Sequence, residues 1–124
     1  MQQVQKLHYH QRRKLLDVLF SDNVTAQFSA EFLRVLSPSA EVRGHGSPRL
    51  VANKRDVAIL QMLPVGQYAV KLVFDDGHDS GIYSWSYLRQ LHDNAEALWQ
   101  DYLQRLSDAN AVRDAKLAIK MSFS

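Results

Sequence analysis

The sequence predicts an α+β fold: a small, mostly antiparallel sheet built from hairpins, one short helix after the third strand, and two C-terminal helices packed on the sheet. Three observations carry this prediction. Alternating apolar patterning fills most of the first 83 residues, turn signals at Ser21-Asp22-Asn23 and Asp75-Asp76-Gly77 punctuate it, and broad helical patterning follows from Ser84 onward.

The elements follow in order. Leu7 and Tyr9 alternate with His8 and His10, and after QRRK the run Leu15–Phe20 (LLDVLF) returns as the second strand of a hairpin, with imperfect alternation. Ser21-Asp22-Asn23 has turn composition, with Asn23 suited to positive φ, and Val24–Phe28 is a third short strand. Ser29 is placed to cap a helix from Ala30, with Glu31 in its first turn; Phe32, Leu33 and Leu36 share a side and Pro38 stops it. Residues 37–56 hold two of the three prolines and two glycines, and read as one long loop. Val57–Leu63 is a strand, Pro64-Val65-Gly66-Gln67 a tight turn, and Tyr68–Phe74 a strand with Tyr68, Val70, Leu72 and Phe74 on one face; Ile82-Tyr83 begins the return. Ser84 caps a helix over Trp85–Leu91. Asp93 with Glu96 forms a capping box for a helix to about Ala109, whose apolar face is Leu98, Trp99, Tyr102, Leu103 and Leu106. From Asn110 the patterning weakens and the chain is expected to fray. Residues 1–114 thus read as one domain and 115–124 as a flexible tail.

Composition narrows the function classes. The chain has 124 residues, 46% hydrophobic and 23% charged, as expected of one globular domain. Its formal net charge is only +2, so nothing in the charge argues for a nucleic-acid partner. No apolar run has the length of a membrane span, and the polar MQQVQKLHYHQRRK lacks a secretory h-region, which makes the cytoplasm the expected compartment. The absence of cysteine excludes disulfides, thiolate metal sites and cysteine nucleophiles.

Two polar, glycine-containing stretches between apolar segments are the natural places for binding: Leu33–Gly46 and Phe74–Trp85. His45 and His78 lie in them, with Asp76 and Asp79 beside His78, so these four are the candidate ligands for iron or zinc. His8 and His10 share a strand face and join only if the fold brings them near. No HExxH and no H-x-D occur; the second absence argues against an iron oxygenase. DDGHDSG fails the EF-hand pattern and fits a tight acidic hairpin. RGHGSPR places Arg43, His45 and Arg49 around glycines, a candidate anion cradle, while no phosphate-loop or dinucleotide motif is present. GxSxG is also absent, and although Ser37, Ser39 and Ser80 have candidate histidine neighbours, no pattern fixes a triad.

LRVLSPSAEVRGHG, PVGQYAVKLVFDDGHDSGIYSW and LWQDYL closely resemble the gamma-butyrobetaine hydroxylase-like N-terminal domain family, over nearly the whole chain to about Asp114. That resemblance implies kinship with small stand-alone bacterial proteins of unknown function. It also implies kinship with a domain that precedes the oxygenase domain of gamma-butyrobetaine and trimethyllysine hydroxylases and is appended to some iron–sulfur carrier ATPases. In the hydroxylases the motif is LRxxCxCxxC, whose cysteines bind zinc with a later histidine. Here Leu33-Arg34 match, the cysteine positions fall on Ser37, Ser39 and Val42, and the histidine position on His78. Arg13-Lys14 stand where the family often has Ser-Arg.

The leading expectation is a non-catalytic interaction or accessory module that binds another protein through Arg43, His45, Arg49, Asp75 and His78 and lacks the cysteine zinc site. The alternative is an iron- or other metal-handling protein linked to iron–sulfur assembly, using the loop histidines and aspartates.

Overall fold

Val4–His10 (β1), Leu15–Phe20 (β2) and Thr25–Ser29 (β3) form one antiparallel sheet in the order β1-β2-β3. Ile59–Val65 (β4), Ala69–Phe74 (β5) and Ile82–Ser84 (β6) form a second, in the order β4-β5-β6. The expected hairpins are therefore present, divided between two three-stranded sheets. Four helices complete the chain: Ala30–Val35 (α1), Ala40–Arg43 (α2), Trp85–Asp93 (α3) and Ala95–Asp108 (α4). This computed structural model describes residues 2–43 and 49–114. Among them no helix is long and apolar enough to cross a membrane.

The central strand of each sheet explains the core. In β2, Leu16, Val18 and Phe20 alternate inward, and in β5 Val70, Leu72 and Phe74 do the same. These six join Phe28, Leu33, Tyr83, Leu88 and Leu91 in one apolar cluster, so the sheets, α1 and α3 share a single interior. Burying side chains of this size stabilises by roughly 1.5–3 kcal/mol each before chain entropy is counted. The Tyr9 hydroxyl accepts a hydrogen bond from the Ile59 amide (3.0 Å) and ties β1 to β4 across the two sheets. The expected phase of β5 holds for Val70, Leu72 and Phe74, whereas Tyr68 falls in the turn and is half exposed.

Helix caps are partly as read. Ser29 Oγ accepts from the Phe32 amide and Ser84 Oγ from the Tyr87 amide, each at 3.0 Å. Asp93 is not a cap. It ends α3 and faces Arg89, and Asn94 starts α4 without a side-chain capping bond. The Asn94 amide instead donates to Gln90 O, so the two helices abut through a single residue. Pro64 lies within β4 rather than opening the turn. β4 is an edge strand, where a missing N–H costs no ladder bond, and the turn begins at Gly66 with φ +57°.

The loop expected over 37–56 contains α2, which Ser39 initiates: its hydroxyl accepts from the Glu41 amide (3.2 Å). Asn110–Asp114, expected to fray, is anchored. Asn53, at φ +64°, donates from its amide to Val112 O (3.0 Å) and from Nδ2 to Asp114 O (2.7 Å), while the Arg55 amide donates to Arg113 O (2.9 Å). The expected tail over 115–124 lies outside the described residues.

Candidate functional site

Two local motifs bring the 37–42 segment and the 75–81 loop together. α1 ends at Val35 ahead of Pro38, and Ser37 and Ser39 then each accept a backbone N–H two residues on, from Ser39 (3.2 Å) and Glu41 (3.2 Å). On the other side β5 stops at Phe74. Gly77, at φ +90°, lets its amide reach Phe74 O (3.2 Å), and Asp76 Oδ1 accepts from the His78 amide (3.1 Å). His78 is thereby turned into the protein, where it is 5% exposed.

The corner is closed by side chains. His78 Nε2 lies 2.8 Å from Ser37 Oγ and its Nδ1 3.2 Å from Glu41 Oε2; Ser39 Oγ meets Ser80 Oγ at 2.7 Å. Burial, and next the positive charge of Arg34, lower the His78 pKa against the raising effect of Glu41, so the ring is neutral at pH 7. A carboxylate only accepts, which places the ring proton on Nδ1 toward Glu41 and makes the Ser37 hydroxyl the donor to Nε2. Each polar group of the chain from Ser39 N–H through Ser37 and His78 to Glu41 thus has a partner.

Ser37, His78 and Glu41 stand in the order of a hydrolase triad, yet the serine is not positioned to react. A nucleophile needs room for a substrate carbon about 3 Å from its oxygen. Ser37 is 0% exposed, and a Cβ built on Gly81 would already lie 2.5 Å from Ser37 Oγ and 3.1 Å from the Tyr83 ring. The Tyr83 hydroxyl, also buried, donates to Leu33 O behind it. This close approach makes Gly81→Ala an informative change. It is expected to break the Ser37–His78 bond and to destabilise by about 1–2 kcal/mol in urea unfolding; an unchanged midpoint would contradict the packing.

Asp76 Oδ2 is the second node, 2.7 Å from both Arg34 Nε and Lys54 Nζ. Burial alone would raise its pKa, but the hydrogen bonds from Lys54, the His78 amide and Arg34 outweigh it and hold the carboxyl at about 2. A folded-state value below the unfolded value of about 3.9 adds stability that is complete above that pH and lost as pH falls toward the folded value. Asp76→Asn is therefore expected to cost about 1–2 kcal/mol near neutral pH, with the gap to the native chain closing between about pH 4 and about pH 2. Acid titration of unfolding stability checks this.

The remaining candidates scatter. His45 lies outside the described residues, and Arg43 is the last residue of α2. Arg49 is exposed, and its amide donates to Val42 O (2.6 Å). Asp75 is tied to Ala58 by its amide (2.9 Å) and Oδ1 (3.1 Å); Asp79 is exposed. His78, expected on an interaction surface, is 5% exposed and hydrogen bonds Ser37 and Glu41. His8 and His10 do share a face, rings 4.5 Å apart, with His10 Nε2 2.7 Å from Asp17 Oδ2. The hydrogen bond from His10, then that from Gln27, lowers the Asp17 pKa.

The donor set at the positions where the resemblance places zinc ligands does not fit zinc. Two are hydroxyls already hydrogen bonded, Val42 offers no donor atom, and both His78 nitrogens have partners. Among the described residues no three His, Asp or Glu side chains are placed to share an ion. Sequence reading assigned no role to Arg34, Glu41 or Lys54; the Ser39-Ala40-Glu41 capping pattern was the available signal for Glu41.

Comparison with known proteins places the chain among relatives of the same fold. The family model described as gamma-butyrobetaine hydroxylase-like, N-terminal, matches residues 7–89. A protein solved by NMR in solution is 44% identical, with TM-score 0.82, 100% of this chain covered and 94% of that one. A second NMR structure is 42% identical at TM-score 0.81, with 99% of each chain covered. A crystal structure from Acidithiobacillus ferrooxidans ATCC 23270, of a protein of unknown function in the DUF971 family, is 34% identical at TM-score 0.63, covering 73% of this chain and 92% of that one. No curated protein matches.

Proposed function

The chain belongs to the gamma-butyrobetaine hydroxylase-like N-terminal family, and from that premise we propose that it is a non-catalytic interaction module for another protein, working in the cytoplasm. One observation carries the reading: the outer face of the second sheet carries exposed apolar side chains flanking Lys71. Leu63 (40% exposed), Lys71 and Ile82 (48%) are direct cross-strand neighbours, and Val65 lies in the next row beside Ala69. Tyr68, half exposed, follows in the turn. Apolar side chains gathered on one face in this way mark contact surfaces more often than chance exposure does. Ile82 continues directly from the 75–81 loop, so the buried corner fixes one margin of that face. Asp75 and Arg49 are exposed on the segments it joins.

Affinity capture with the full chain as bait tests the reading. A Leu63→Asp, Ile82→Asp bait is expected to lose the native partner at least tenfold, while Gln104→Asp, at an exposed position of α4, retains it. Equal capture by all three baits would overturn it. The metal-handling alternative lacks a comparable supporting observation.

A further inference from the structure

A cavity of about 270 Å³ opens beside His78, away from the apolar sheet face, and Arg34, Arg49, Lys54, Glu41 and Val51 help to line it. Its three cations arrive from separate segments: Arg34 from α1, Arg49 from the chain after α2, Lys54 from the approach to β4. Like charges gathered this closely need compensation. Asp76 gives a single oxygen to both Arg34 and Lys54, and Glu41 is engaged by His78. Arg49 has no ion pair among the described residues. Arg34 Nη1 is buried and has no hydrogen-bond partner among them, a costly state for a charged donor. Three cations against two carboxylates leave one positive charge over, together with an unsatisfied guanidinium N–H.

We infer that this cavity binds an oxyanion, a carboxylate or phosphate group that accepts from Arg34 and bridges Arg49 and Lys54. Planar guanidinium groups and an ammonium lining one cavity are the donors such a group takes. The anion can be free in solution or can be the C-terminal carboxylate of a polypeptide; the recognising chemistry is the same. The inference uses neither the sheet face nor its apolar residues, and shares only Arg49 with the protein-partner reading.

The test is an NMR titration of the full ¹⁵N-labelled chain at matched ionic strength with inorganic phosphate, malonate, and a short peptide ending in a free carboxylate or in an amide. Saturable shifts are expected at the Val51, Ala52 and Lys54 amides and at Arg34 Nε–H. Arg49→Ala, at an exposed position, is expected to weaken binding about threefold or more, as loss of a charge-assisted contact does. Binding of phosphate or malonate assigns a free anion; binding of the acid peptide alone assigns a polypeptide terminus. No saturable shift with any probe up to ~20 mM, a range that includes weak small-ion binding, would overturn the inference. So would equal binding of the amidated peptide, or an affinity untouched by Arg49→Ala.

Discussion

A Ser37→Cys, Ser39→Cys, Val42→Cys variant is expected to take up one equivalent of zinc with His78 as the fourth ligand. The native corner already gathers these positions. Ser37 Oγ is 2.8 Å from His78 Nε2, the Ser39 amide is 3.2 Å from that same oxygen, and Val42 and His78 line one cavity. Tetrahedral zinc with bonds of about 2.3 Å to sulfur and about 2.0 Å to nitrogen needs ligand atoms roughly 3.6 Å apart, a small expansion of the present spacing. The binding energy of such sites is on the order of 10 kcal/mol at neutral pH and adds directly to folding stability. Without metal the variant is expected to be weaker than the native chain, because the Ser37–His78 and Ser39–Ser80 bonds are lost at about 1 kcal/mol each. Zinc titration followed by thermal unfolding, with chelator reversal, reads both effects. A variant that ignores zinc would show that the corner is not a metal-site frame.

Arg113→Ala is expected to destabilise the fold by about 3 kcal/mol, the scale for removing one partner of a buried ion pair. Glu31 is 4% exposed on α1, and its two oxygens accept from Arg113 Nε (2.9 Å) and Nη2 (2.7 Å). The guanidinium also lies 4.9 Å from the centre of the Trp99 ring. Its removal leaves a carboxylate facing the interior and uncovers Trp99. Glu31→Gln, Arg113→Ala together should recover part of the loss, since an amide is cheaper to bury than a carboxylate. Urea unfolding of the native chain and the two variants measures this; a cost below about 0.5 kcal/mol would place Arg113 among ordinary surface pairs.

That contact also shows what was legible in the sequence. Elements written in local patterns were read correctly: the inward alternation of β2 and β5, the caps at Ser29 and Ser84, and the apolar face of α4. Elements held by distant partners were not. Arg113 meets Glu31 across 82 positions, so the weak patterning after Asn110 concealed a fixed strap. Arg34 meets Asp76 across 42 positions, a pairing that no local pattern announces. Asp93 matched a capping pattern but lost the position to Asn94, because α3 runs two residues past its expected end at Leu91. At the corner itself, composition showed only that cysteine was missing. The family resemblance pointed to Ser37, Ser39, Val42 and His78, and the hydrogen bonds supply the physical reason those residues can stand there.

The corner is held by hydrogen bonds where the resemblance implies a metal cross-link, and metal analysis of the native chain purified without a histidine tag tests that claim most directly. Less than about one-tenth equivalent of zinc or iron is expected, against the near-full occupancy that tight structural sites show. A stoichiometric ion that disappears in His78→Ala would contradict it.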